Sequence, residues 1–171
     1  MENNPISAKE LTLPALVITP EAFLNHWQGH RRLTRRVIEA FPENELFNYS
    51  IGGMRPFSAL VTEMIGMAVP SVQGVITGQW QTTEQLSQKS TPTTRQELLD
   101  NWDEVTEQLN TLWPQIPPHR FQEVELAFGQ YEGYNYSLIL YIIDNEIHHR
   151  GQGYVYLRSL GIEPPPFWDR S

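Results

Sequence analysis

Residues 143–161 read IDNEIHHRGQGYVYLRSLG, and the placement of two adjacent histidines in this amphipathic run decides how the chain folds. On a helix, residues four apart stack on one face, while neighbours diverge by about 100°. His149 then shares a face with Ile142, Asn145, Gly153 and Tyr156, whereas His148 shares one with Tyr141, Asp144, Gln152 and Val155. The two rings cannot readily chelate one ion together, so His149 is the candidate to face an interior site and His148 a packing residue. The helical pattern spans residues 135–160 and is nearly continuously apolar from Leu138 to Ile143, which predicts burial on most sides at that end.

Upstream, three more segments carry the 3.6-residue period. Thr19 as N-cap and Pro20 at the first helical position open a helix whose stripe is Phe23, Trp27, His30, Leu33, Val37 and Phe41, ending before Pro42. A second starts near Pro56 and runs through Leu60, Met64 and Ala68; Pro70 is expected to kink or interrupt it, and the pattern fades at Gly78. Thr94 and Glu97 make a capping-box pattern ahead of a third, with Leu98, Trp102, Val105 and Leu109, closed by Pro114 and Pro117. Residues 42–56 and 81–92 read as turns and loop. Residues 121–129 alternate apolar and polar and predict a short strand or extended connection. The tail GIEPPPFWDR cannot continue a helix and is expected to lie on the body through Phe167 and Trp168. Four long amphipathic helices with little strand signal predict an all-α chain, an antiparallel four-helix bundle with ligand sites between facing helices.

At 171 residues the chain suits one domain, residues 1–171, with an arm over 1–18 and the bundle over 19–168. With 40% hydrophobic and 11% aromatic residues the composition is that of a globular protein. The absence of cysteine excludes disulfides, thiolate ligands and a cysteine nucleophile. Neither a basic leader nor an apolar run of about 18 residues is visible, so a cytoplasmic location without membrane contact is expected. A net charge of −8 repels phosphate backbones and makes nucleic acid an unfavourable partner. The one basic cluster, RRLTRR at 31–36, reads as the solvated flank of a helix.

Several side chains are candidates for chemistry. Glu146 and His149 make a Glu-x-x-His pair, but no second such pair exists for a di-iron site. His26 and His30 stand four apart in HWQGH, a chelating spacing; the favoured reading has His26 exposed and His30 as a polar flank of the core. Glu63, in the otherwise apolar VTEMIGM, is either at the edge of the stripe or partly buried with a partner. Nucleophile-elbow and nucleotide-binding glycine patterns are absent.

NEIHHRGQGYVYLRSLGIEPP, residues 145–165, resembles the fourth-helix signature of the DinB/YfiT-like family, and GMRPFSALVTEMIGM, residues 53–67, resembles the start of its second helix. The resemblance spans residues 20–168. It implies an antiparallel four-helix bundle, usually a homodimer, holding zinc or nickel through three histidines and water. Some such proteins are transferases or isomerases that use low-molecular-weight thiols. Carried across, the three ligand positions fall on Glu63, Asn145 and His149, so one of three histidines is retained.

A carboxylate, an amide and an imidazole favour harder ions such as magnesium, manganese or calcium over zinc or nickel. His30, if it reached Glu63 and His149, would restore a two-histidine, one-carboxylate set. The expectation is thus a metal-dependent transferase or hydrolase acting on a small molecule, with Glu63 and His149 as ligand, base or acid/base partner. The alternative is a module for small-molecule binding or dimerisation that has lost its metal.

Overall fold

Thr19 opens the first helix as its spacing predicts: the side-chain oxygen accepts the Ala22 N–H at 3.1 Å, and Pro20 follows at the first helical position. The computed structural model describes residues 17–86 and 91–171; of the expected N-terminal arm, residues 1–16 lie outside that set. The elements are α1 Pro20–Ala40, α2 Glu43–Asn48, α3 Phe57–Thr77, α4 Thr83–Leu86, α5 Arg95–Leu112, β1 Val124–Ala127, β2 Tyr131–Tyr134 and α6 Asn135–Ser159.

Helices α1, α3, α5 and α6 form a four-helix bundle in the ring order α1–α6–α3–α5. Contacts between the helices fix their directions. Trp113 donates to the Pro20 carbonyl while Arg95 donates to that of Phe41, so α5 runs antiparallel to α1. His149 meets Glu63 and Asn145 meets Met67, so α6 runs antiparallel to α3. Glu146 faces Trp27 whereas Arg150 faces Thr34, so α1 and α6 run parallel. The bundle is therefore two antiparallel pairs side by side. Because α3 and α5 point the same way, the chain between them must travel back along the bundle, and it carries α4 on the way.

Thr94 caps α5 by accepting the Glu97 N–H at 3.2 Å. The return half of the box closes one residue early, since the Glu97 carboxylate takes the N–H of Thr93 at 2.8 Å. Pro70 does not interrupt α3; the helix runs unbroken to a left-handed cap at Gly78, φ +73°. The proline's cost is local, for it cannot donate to the Gly66 carbonyl one turn back. By length and apolar composition α3 alone among the described helices could cross a membrane, but it is the core helix, with Phe57, Leu60, Val61, Met64 and Val72 buried.

The strand expected within 121–129 is β1, and it pairs antiparallel with β2 in a hairpin that leads into α6. Other expectations are corrected. Residues 42–56 and 81–92 contain the short helices α2 and α4. Leu140 and Tyr141 are exposed, because α6 presents only Ile139, Ile142 and Ile143 of that run to the core. Phe167 and Trp168 stack edge-to-face on each other at the surface, and polar contacts hold the tail instead: Arg36 to Asp169 at 2.8 Å and Arg32 to the Arg170 carbonyl at 2.9 Å.

The arginine cluster is not a solvated flank either. Arg31 is fully buried, its guanidinium 3.9 Å from the Trp102 ring and 3.7 Å from Glu146, with a hydrogen bond to Thr106 at 2.8 Å. A buried guanidinium is tolerated because stacking and a carboxylate replace its water.

Candidate functional site

Two successive faces of α6 carry two different polar clusters. The face with Glu146 and Arg150 looks at α1. Glu146 is buried and accepts from Trp27 Nε1 at 3.1 Å and Thr34 Oγ1 at 2.8 Å, with Arg31 beside it. Burial pushes its carboxyl above the ordinary value against the pull of Arg31. Arg150 donates to the His30 carbonyl at 3.2 Å and to His30 Nδ1 at 2.9 Å. That bond makes Nδ1 the acceptor, so a neutral His30 carries its proton on Nε2, 3.2 Å from His26 Nε2. Burial, then Arg150, lowers the His30 pKa to about 3. His26 is exposed and His30 buried, as the sequence favours.

His30 therefore does not complete a ligand set with Glu63 and His149. Its ring is committed to Arg150 and His26, and among the described residues no group of three histidine or carboxylate side chains converges on one point.

The next face of α6 looks at α3. His149 Nε2 lies 3.0 Å from Glu63 Oε1, and Asn145 Nδ2 approaches the same oxygen at 3.4 Å. Glu63 Oε2 is paired with Arg55 Nη2 at 2.6 Å, and Arg55 is steadied by Tyr156, whose hydroxyl donates to its carbonyl at 2.9 Å. The bond to His149 first, then that to Arg55, brings the Glu63 pKa down to about 2 against a burial effect that raises it. Behind His149, Nδ1 faces Gln152 Oε1 at 3.1 Å. An Nδ1–H donor to Gln152 leaves a lone pair on Nε2, pointing at an ionised carboxylate oxygen. Two acceptors 3.0 Å apart need a positive species between them, either a proton or a metal cation.

The site's reach is set by a cavity of about 620 Å³ in the α3–α6 groove. Glu63 and Arg55 line its polar end, Met67, Leu138 and Ile142 its floor, and the α3–α5 connection and hairpin supply Trp80 and Phe128 as a wall. Asn145 and His149 are not part of the lining; they stand behind Glu63. His148 is exposed.

A family model described as DinB family matches residues 12–170. The chain belongs to the DinB family. Two solved DinB-like proteins have similar structures. One, yjoA from Bacillus subtilis, has a TM-score of 0.69 at 19% identity, covering 86% of this chain and 98% of its own. The other, from Bacillus cereus, has a TM-score of 0.64 at 20% identity, covering 86% and 97% respectively. At that identity the likeness concerns the fold. No curated protein matches the chain.

Within this DinB fold the Glu63, Asn145 and His149 set can be tested against a cation by its chemistry. Two ligand atoms on one ion with bonds of about 2.1 Å at right angles stand ~3.0 Å apart, the separation seen for His149 Nε2 and Glu63 Oε1. The Gln152 partner on Nδ1 is the kind of support that orients a metal-bound imidazole. The residues fit a divalent cation, and the carboxylate and amide suit a harder one than zinc or nickel.

Sequence reasoning did not find Arg55, Gln152, Trp80 or Phe128 as parts of this region. Gln152 was assigned to the His148 face; it sits three residues from His149 and can reach either ring.

Proposed function

We propose that this protein is a cytoplasmic DinB-family enzyme, a transferase or hydrolase, that binds a small molecule in the α3–α6 cavity. In this reading Glu63 and His149, with Asn145, hold a divalent cation at the polar end, and a homodimer is the expected assembly. The observation that carries the reading is the 3.0 Å approach of His149 Nε2 to an ionised Glu63 oxygen beside an otherwise largely apolar cavity.

A divalent cation held there supplies Lewis acidity to a bound molecule. The chain's own residues do the rest. Glu63 is kept ionised by its donors. Gln152 fixes the tautomer of His149, and a proton in the gap is carried on Nε2. Trp80 and Phe128 exclude water, which strengthens charge interactions at the polar end.

A second reading has its own support. Arg55 already places a positive charge 2.6 Å from Glu63 Oε2, which suits a metal-free binding module with a proton in the gap. Elemental analysis of freshly purified protein, with titration of magnesium and manganese, separates the two. Stoichiometric cation lost in His149→Ala supports the enzyme; a chain that takes up no cation at neutral pH supports the binding module.

A further inference from the structure

We propose that the cavity selects a flat, apolar molecule bearing a carboxylate, with Arg55 as the group that reads the carboxylate. The inference rests on the cavity described above and deepens its reading, whether a cation or a proton lies between Glu63 and His149.

The apolar wall is braced. Trp80 stands edge-on to Phe128 at 5.3 Å, and its indole N–H donates to Glu125 Oε2 at 2.6 Å. Glu125 is paired in turn with Arg120, whose Nε donates to the Val75 carbonyl near the end of α3 at 2.8 Å. Gly74 makes room for the indole: a Cβ there would sit 2.5 Å from Trp80 Cδ2. Phe128 is held at φ +54°, a left-handed conformation that a phenylalanine adopts only where its surroundings impose it. A strained aromatic locked by a chain of three polar side chains gives the cavity a fixed flat wall, which favours planar ligands over flexible ones.

The head group follows from Arg55. Its guanidinium is half exposed and lines the cavity, and among the described residues only Nη2 has a partner, Glu63. The remaining N–H groups form the fork that pairs with a carboxylate through two parallel bonds. Tyr156 fixes the Arg55 backbone, so the fork starts from an anchored base. Glu63 is saturated by His149, Asn145 and Arg55, leaving it little capacity for a ligand amine. Glu132, on the hairpin, is the other ionised side chain of the lining, and it weakens an anion's binding without pairing with Arg55.

The test is calorimetric titration of the full-length protein with 2-naphthoate, 2-naphthamide and 2-naphthylmethylamine. The expected result is carboxylate binding at least tenfold tighter than amide. Arg55→Gln should erase that preference while leaving the amide within about twofold, and Glu132→Gln should tighten the carboxylate roughly twofold. Gly66→Leu fills the cavity from α3, where the nearest atom to an added Cβ is 4.0 Å away, so that variant folds and loses both ligands. Equal binding of carboxylate and amide, or tighter binding of the amine, overturns the assignment of Arg55. Absence of all three overturns the flat cavity. None of these results depends on cation uptake, so loss of the metal reading leaves this one standing, and the reverse.

Discussion

Gly153 lies directly beneath the ring of Phe57: a Cβ at that position would stand 2.5 Å from Phe57 Cε2. It is Gly153, and not Gly151, that lets α6 approach α3, since a Cβ on Gly151 meets nothing within 4 Å. Gly153→Ala is therefore expected to destabilise the protein by about 1–3 kcal/mol through overpacking. Gly151→Ala should be neutral or stabilising by up to about 1 kcal/mol. Urea denaturation of the two variants checks both signs.

Glu146 should be among the costliest single positions. Glu146→Ala strips Arg31, Trp27 and Thr34 of a shared acceptor in the buried core, and breaking such a buried pair costs about 3–5 kcal/mol. Glu146→Leu combined with Arg31→Met removes both charges and should recover much of that loss. A double-mutant cycle on denaturation midpoints measures the coupling.

His30 makes stability depend on pH. Its folded pKa is lowered to about 3 from the ordinary 6.5. Below 6.5 the unfolded chain takes up a proton that the folded chain refuses until about 3, so stability falls as pH falls through that window. The slope is at most about 1.4 kcal/mol per pH unit. Denaturation at pH 7, 6 and 5 should show it, and His30→Gln, which keeps an acceptor for Arg150, should flatten it.

Glu63 contributes at lower pH with the opposite origin. Its pKa, lowered to about 2 from 4.5, gives stability that is present above 4.5 and lost as pH falls toward 2. The side chain is about a third exposed, so the loss is small. Acid titration of Glu63→Gln beside the parent, followed by near-ultraviolet circular dichroism, should show a shallower acid limb in the variant.

Gln152 tests the orientation of His149. If Nδ1–H is held by Gln152, Gln152→Ala should weaken cation uptake about 10–100-fold and leave thermal stability nearly unchanged, because Gln152 is only partly buried. Manganese titration followed by electron paramagnetic resonance reads that loss directly.

The helices were legible because their cues are local. Thr19 with Pro20, Thr94 with Glu97 and the stripes behind them depend on neighbours one turn away. What escaped depends on partners far along the chain. Arg31 looks like surface in RRLTRR, since nothing nearby announces Trp102 and Glu146. Gly151 and Gly153 are indistinguishable until Phe57 is placed. Phe167 and Trp168 are apolar enough to predict burial, yet the arginines of α1 hold the tail by Asp169 and the Arg170 carbonyl instead. At the site, Glu63 and His149 were legible from position, but the cavity wall was not, because Trp80 and Phe128 meet across 48 residues of chain.

The two polar clusters on successive faces of α6 make the helix an indexed shaft. Glu146 and Arg150 engage α1, and Asn145 and His149 engage α3. A one-residue slip turns the helix by about 100° and would aim Glu146 and Arg150 toward α3, leaving His149 off Glu63. The core ion network thus sets the dial of the candidate site from the far side of the same helix, so insertions ahead of residue 145 should be tolerated only in whole turns.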